Sequence, residues 1–494
     1  MKKHAQHTLR TTLLSFLALV SGYLFLSAIS SKRYDTKLNI RIFTPTPADS
    51  LRLRRLHLKD VLARHGGRYI DAAVSEQEYH AIKSKGFAVR QISPVTTNPA
   101  IPAAYMPLET IEDEVSRLRR QYPGLCHVER IGVSTSSRLP IWGIKISDNA
   151  SQKEDEPRIL FAGVHHAREP IGANICLKLM DTLLRKYGRD KRVTRWVDSI
   201  EIWFVPVVNP DGYKYMFDHN LRFPWWRKNL RDNDGDRVFN PLFDGVDLNR
   251  NYDFNWTEGG DGKPSSWFYR GGRPFSENET RAIMQLSLRE NFAIGISYHS
   301  YGESILFPWG NYKRPPDLDL IVDIASKMAS RIKRQSGHGN YSILPLNGRV
   351  GQSSVWMYGH LKVIDYIVEV GTEYFPADAH VPFILKENTK GAFYLFDRLL
   401  ETGIKGHVFD RHTRRPLLAD IRIRRFTAKY VNPRRTDADT GSFYRLVNPG
   451  EYTVEISSRG YHPKTFYRVR VRKNQFVAME IGLVRKDKYS NGRN

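Results

Sequence analysis

Cysteine is almost missing from this chain. Two residues in 494, Cys126 and Cys176, cannot form the bridge framework that holds small secreted modules together. Both have apolar neighbours, so one bridge or two buried thiols fits, and neither belongs to a metal-ligand spacing. Internal repeats and low-complexity tracts are absent, which argues against a solenoid. No nucleic-acid-binding motif is present, so no nucleic-acid partner is expected. Acidic residues are in deficit, 52 Asp and Glu against 76 Lys and Arg, for a formal charge of +24. Roughly half of that excess lies in residues 401–494, with 21 basic against 9 acidic side chains. A solvated basic surface accounts for it, and so does an anionic envelope component as partner.

What is present is enough apolar material, 41% with 12% aromatic, to bury a large core. The length calls for two to four folding units. Lys2, Lys3 and Arg10 precede a mainly apolar segment, residues 13–29, that ends in Ala28-Ile29-Ser30. Residues 1–30 therefore read as an export signal or an uncleaved anchor, and the protein as exported: periplasmic, secreted or membrane-anchored. Residues 35–92 read as a small α+β unit, either a pro-segment or an accessory module. Its elements are a strand over 38–43, a basic helix over 51–65, a strand over 68–74, a helix over 76–85 and a strand over 87–92. Residues 93–107, rich in Pro, Thr and Ala, form a linker.

Over residues 108–400, Ile111, Val115, Leu118 and Tyr122 make one helical stripe that Pro123-Gly124 ends. Buried strands at 159–164, 202–208, 292–298 and 364–370 alternate with helices at 171–187, 277–290, 318–335 and 383–399. That alternation predicts an α/β fold, a mixed, largely parallel sheet with helices on both faces. Ligands in such sheets gather at the carboxyl ends of strands. From 402 to 485 the pattern changes to six short strands with turn residues between them, a small C-terminal β-sandwich.

Chemistry concentrates where the apolar run from Ile159 ends, in Val164-His165-His166-Ala167-Arg168-Glu169-Pro170. His166 and Glu169, three apart at the entry to a helix, share one face. An imidazole and a carboxylate so placed can hold a divalent cation, given a third ligand from elsewhere and an open position for water. Downstream come Trp226-Arg227-Lys228, Gly245-Val246-Asp247-Leu248-Asn249-Arg250-Asn251, Ile296-Ser297-Tyr298-His299-Ser300-Tyr301 and Tyr366-Ile367-Val368-Glu369. In this order and spacing the set resembles the zinc carboxypeptidase family. Within residues 402–485, Gly403-Ile404-Lys405-Gly406-His407-Val408, Val447-Asn448-Pro449-Gly450-Glu451-Tyr452 and Gly460-Tyr461 resemble the transthyretin-like domain of its N/E branch.

The resemblance implies one Zn2+ held by His166, Glu169 and His299, with Asp247 orienting a ligating imidazole. It implies Glu369 as the general base that takes a proton from the attacking water and passes it to the leaving amine, and Arg227 as the oxyanion donor. Asn249 and Arg250 would grip the terminal carboxylate of a peptide or protein, with Arg168, Ser300, Tyr301 and Ser354 lining the subsites. Two departures stand out. Asn347 occupies the place of the family's mobile tyrosine, so either Tyr341 or Tyr358 nearby reaches in or the role is vacant. Ser354 at the base of the specificity pocket is neither an acid nor a branched apolar residue, and Gly310 supplies no acid either. A preference for Lys or Arg is therefore not expected; Arg349 reads as a surface arginine or, alternatively, as a group that favours an acidic side chain. The implied function is removal of C-terminal residues by promoted-water attack. Alternatives are a peptidoglycan-trimming carboxypeptidase and a non-catalytic envelope protein that binds peptide ends. Asp232, Asp234 and Asp236 read as a solvated turn, since a calcium loop would need an acid where Phe243 stands. Ser276 and Glu279 read as a capping box.

Overall fold

The computed structural model describes residues 38–44, 46–54, 56, 60–65, 69–91, 101–218, 226–241, 243–309, 313–346 and 349–486. The expected signal, most of the linker, Gly310 and Asn347 lie outside them. The chain divides into two compact units, Met1–Thr96 and Thr97–Asn494.

In the first unit β1 (Leu38–Phe43), α1 (Pro47–Arg54), β2 (Asp60–His65), β3 (Tyr69–Val74), α2 (Glu76–Ser84) and β4 (Val89–Gln91) form an antiparallel sheet of order β2-β3-β1-β4 with two helices. Alternate residues Ile40, Ile42, Ile70, Ala72 and Val74 bury one face with Leu53, Ile82 and Phe87. Ser75 and Glu78 close a capping box on α2. The helix expected over 51–65 is wrong beyond Arg54. Residues 60–65 pair with β3 instead, and the ladder offered by that strand outweighs the helical propensity of a Leu- and Arg-rich segment.

The second unit begins with α3 (Leu108–Gln121), β5 (Cys126–Val133), β6 (Pro140–Ile146), β7 (Arg158–Ala162), α4 (Ile171–Lys186), α5 (Lys191–Val197), β8 (Glu201–Val205) and α6 (Pro210–Asp218). It continues with α7 (Asn278–Glu290), β9 (Ile294–His299), β10 (Ser304–Phe307), α8 (Leu318–Ala329), β11 (Ser342–Pro345), α9 (Ser353–Leu361), β12 (Ile364–Glu369) and α10 (Val381–Glu401). Eight strands make one mixed sheet of order β11-β10-β12-β9-β7-β8-β6-β5, whose central run β12-β9-β7-β8 is parallel. Along β7, Ile159 and Phe161 face a core shared with α3, α4, α8 and α10, while Leu160 and Ala162 face a second core against α7 and α9. Both faces are thus covered, as parallel strands require. Cys126 and Cys176 are free buried thiols.

The last seven strands are β13 (Gly403–Asp410), β14 (Asp420–Ile423), β15 (Arg434–Arg435), β16 (Ser442–Leu446), β17 (Gly450–Ser457), β18 (Lys464–Val471) and β19 (Phe476–Leu483). They form sheets β16-β13-β19 and β15-β14-β17-β18. Ile404, Val408, Phe443 and Ile481 of one meet Ile421, Ile423, Val454 and Ile456 of the other in a common core, which makes a sandwich. No helix among the described residues is long and apolar enough to cross a membrane.

Candidate metal centre and active site

The turn that leaves β7 is tightly constrained. A side chain on Gly163 would meet the Pro206 carbonyl oxygen at 2.7 Å and the Gly172 carbonyl carbon at 2.8 Å, so only glycine lets the strand exit so close to α4. Val164 follows with φ of 54°, a left-handed conformation unfavourable for a β-branched residue. This chain reversal turns His165 and His166 inward, where they are 1% and 3% exposed. His299 ends β9 and Glu369 ends β12, and these two are direct partners in the parallel ladder between the strands. Sheet register alone therefore sets the carboxylate beside the imidazole.

Three donor atoms converge. His166 Nδ1 and His299 Nδ1 lie 2.9 and 2.8 Å from Glu169 Oε2 and 3.0 Å from each other. The three residues form a buried group able to hold one cation. Bonds of about 2.05 Å in tetrahedral array separate ligand atoms by about 3.3 Å, so a small opening of this triangle accommodates zinc. The donor set fits for a second reason. In the tautomer that leaves both Nδ1 atoms bare, two ring nitrogens and a carboxylate oxygen in a dry pocket are all acceptors, and a cation answers all three. Burial alone would raise the Glu169 carboxyl, but the two imidazoles hold it well below its ordinary range. Burial pushes His299 down to about 4, against the pull of Glu169.

The remote ring nitrogens are held as well. His166 Nε2 lies 3.2 Å from Asp247 Oδ1. That carboxylate also accepts from Asn249 N–H at 3.0 Å and from Arg227 Nε at 2.9 Å. Burial works to raise Asp247, and Arg227 and Arg250 keep it well below the usual carboxylate values. His299 Nε2 lies 3.0 Å from Ser297 Oγ, which lies 3.0 Å from His165 Nδ1, and His165 Nε2 is 2.9 Å from Tyr252 Oη. With His299 Nδ1 bare for a cation, Nε2–H donates to Ser297, whose hydroxyl donates to His165 Nδ1, whose Nε2–H donates to Tyr252. Burial together with the neighbouring His299 and His166 keeps His165 neutral.

Arg227 Nη1 reaches 3.2 Å from His166 Nδ1 and 3.7 Å from Glu169 Oε1, so its guanidinium faces the centre. Glu369 is pushed up to about 8 by burial and by Glu169, against Arg349, Arg227 and Arg250. Arg250 is brought down to about 10 by burial, with Asp247 opposing and Arg227 and Arg349 assisting. The guanidiniums of Arg227 and Arg250 lie 5.3 and 5.5 Å from the centre of the Phe268 ring. Asn249 is engaged at both ends: Oδ1 accepts from Ser353 N–H at 2.9 Å, and Nδ2 packs 3.2 Å from His299 Nε2. Arg168, 3% exposed, lies 4.3 Å over the Tyr374 ring, and Tyr301 meets that ring edge-on. Ser300 and Ser354 are buried with hydroxyls that have no hydrogen-bond partner among the described residues.

The remaining expectations meet different outcomes. Tyr358 bonds Asp317, and Tyr341 Oη accepts from Gly371 N–H at 3.2 Å; neither replaces a tyrosine at the centre. The capping box at Ser276 and Glu279 does not form: Glu277 is the N-cap, and the Glu279 carboxylate is taken by Thr135. Asp232 accepts from Gly235 and Arg237 N–H at 2.7 and 2.9 Å, as a turn does. Ser297, His165, Tyr252 and Phe268 were not singled out from sequence. Ser297 alone had a signal, since two residues before His299 on a strand is the same face.

Fold and site together present a buried candidate site for one metal ion, two histidines and a glutamate, at the carboxyl ends of a largely parallel sheet. The chain belongs to the zinc carboxypeptidase family, whose profile, described as "Zinc carboxypeptidase", matches residues 111–391. Mouse carboxypeptidase A4 is 32% identical over 263 residues, 52% of this chain and 60% of that protein. Mouse carboxypeptidase D is 24% identical over 428 residues, 80% of this chain but 28% of that protein. The crystal structure of carboxypeptidase A from Helicoverpa armigera shares the fold, with a TM-score of 0.61 at 20% identity over 74% of this chain and 96% of that one. This chain thus spans less than two thirds of these curated relatives. The family uses one zinc ion, and His166, Glu169 and His299 are its candidate ligands here.

Proposed function

We propose that this protein is a zinc-dependent carboxypeptidase that hydrolyses the C-terminal peptide bond of peptides or proteins. The observation that carries the reading is the pairing of Glu369 with His299 in one sheet register, beside a closed triangle of metal-ligand atoms. When bound at His166, Glu169 and His299, the ion supplies Lewis-acid polarisation and an acidified water. Glu369 accepts the proton from the attacking water and returns it to the leaving amine. A raised pKa suits that exchange, and the charge of a divalent cation nearby would draw it down toward neutrality. Arg227 offers its Nη1 hydrogens to the oxygen on which negative charge develops; such a donor is worth about 3 kcal/mol. Arg250 and Asn249 receive the terminal carboxylate, which makes the cleavage start from the chain end.

Glu369→Gln tests the reading. Turnover of peptides should fall below detection while zinc content stays at one ion per chain; an active Gln variant overturns the assignment. The export reading of residues 1–30, the transthyretin-like reading of the sandwich and docking of its basic surface on an anionic envelope component belong to the same proposal. They are supported by the seven-strand sandwich, the long match to carboxypeptidase D and the basic excess after residue 401.

A further inference from the structure

The segment leading into α9 is pressed against the residues proposed to hold the chain end. Tyr252 N–H donates to the Gly351 carbonyl at 3.0 Å, Gly351 N–H to the Phe254 carbonyl at 3.3 Å, and Ser353 N–H to Asn249 Oδ1 at 2.9 Å. A side chain on Gly351 would meet the Arg250 carbonyl oxygen at 2.7 Å. What this segment presents is polar. Ser353 and Ser354 are 3% and 0% exposed, and neither hydroxyl has a hydrogen-bond partner among the described residues. The oxygen of the buried Gln352 amide has none either, and such an amide can turn its NH2 end to an acceptor. Leaving such groups unmet is unfavourable, and a ligand that meets them recovers the loss. The N-cap residue Gln352 makes no side-chain cap, and Asn249 Oδ1 takes only the Ser353 N–H, so the following N–H groups keep the positive end of the helix at this segment. Half-buried Arg349 precedes it, near enough for its charge to act on both Arg250 and Glu369.

Hydroxyls, a helix N-terminus and a guanidinium at one place make a receptor for an anion. We propose that this enzyme prefers peptides ending in Asp or Glu, whose side-chain carboxylate is received by Arg349, Ser353, Ser354 and the start of α9. The inference rests on the carboxypeptidase reading and names its substrate class. An apolar terminal side chain would leave the hydroxyls unmet, and a basic one would face Arg349.

The test uses the zinc-loaded full-length protein and N-blocked tripeptides that differ only in the last residue: Glu, Asp, Gln, Leu, Phe or Lys. Glu or Asp should exceed every other residue at least about tenfold in kcat/KM. Arg349→Ala should level Glu with Gln, and Arg349→Glu should turn the preference toward Lys, both with wild-type zinc content and melting temperature. Equal or faster release of Leu, Phe or Lys, or an Arg349→Ala variant that keeps the Glu-over-Gln ratio, overturns the inference and leaves the carboxypeptidase reading standing. Release from no peptide at all overturns both.

Discussion

The hydroxyl of Ser297 stands 3.0 Å from His299 Nε2 and 3.0 Å from His165 Nδ1, so it relays one tautomer from a neutral, buried His165 to a metal ligand. Asn249 cannot substitute, because its nearer end is an NH2 that meets a ring N–H. Ser297→Ala should therefore lower zinc affinity about 10–100-fold, read by competition with a chromophoric chelator, while Ser297→Thr keeps it. Unchanged affinity in the Ala variant would remove the relay. Asp365 shows a different kind of burial: it is 3% exposed, pushed up to about 8 by burial, and faces Gly295, where a side chain would come within 2.2 Å of its carboxylate. Its folded pKa lies above the unfolded value of about 3.9, so its contribution is complete below pH about 4 and is lost as pH rises through about 8. Asp365→Asn should melt near wild type at pH 4 and several degrees higher at pH 8, by thermal unfolding at both pH values. At this scale the sequence was most legible where chemistry is local: His166 and Glu169 are neighbours on one turn. Ser297 and His165 gain their role only through a ladder and a ring contact made elsewhere in the chain.

Among elements, the register of β9 against β12 does the positioning, and β7 delivers the close pair of ligands from the next strand over. That depends on the β7 exit. Gly163→Ala inserts a methyl group against backbone atoms at 2.7 and 2.8 Å, which cannot move as a side chain would. The expected cost is about 1–3 kcal/mol in urea unfolding, with weakened zinc binding because His166 is displaced. Wild-type stability and affinity together would show that the turn is looser than its geometry. Buried strands of the large sheet were readable as apolar runs, since a strand covered on both faces has no alternation to confuse. The short strand β10, the edge strand β11 and the short helix α9 leave little trace in the sequence, because four to nine residues carry too little period. Residues 60–65 misled for a related reason: their partner β3 decides their state, and no local pattern reports a partner. Glu279 was legible as a cap and serves instead as the acceptor for Thr135.

At the scale of the whole second unit, the sandwich is bound to the α/β frame through buried charge. Asp317, at the start of α8, is fully buried and meets Lys362 Nζ at 2.7 Å, the hydroxyl of Tyr358, and Arg445 from β16. Arg434 of β15 donates to the carbonyls of Asn291 and Phe292, just beyond the C-terminal end of α7, where a cation is favoured. Arg158 of β7 meets Asp437 at 3.2 Å. None of these pairs was legible, because partners that lie on different elements far apart in the chain become neighbours only after both halves fold. Burial works to raise the Asp317 carboxyl, and Arg445 and Lys362 hold it below its ordinary value. Asp317→Asn would leave two buried cations sharing a neutral amide, and breaking a buried pair in this way costs about 3–5 kcal/mol. The loss should fall on the junction more than on the inner core of the sandwich, since only Val431, Tyr444 and Leu446 of that region join the frame's core while the facing sheets keep a core of their own. Calorimetry of the variant should therefore show the sandwich melting ahead of the frame, with zinc retained in the interval between the two transitions. A single transition lowered as a whole would mean that frame and sandwich fold as one cooperative body held by more than this charge cluster.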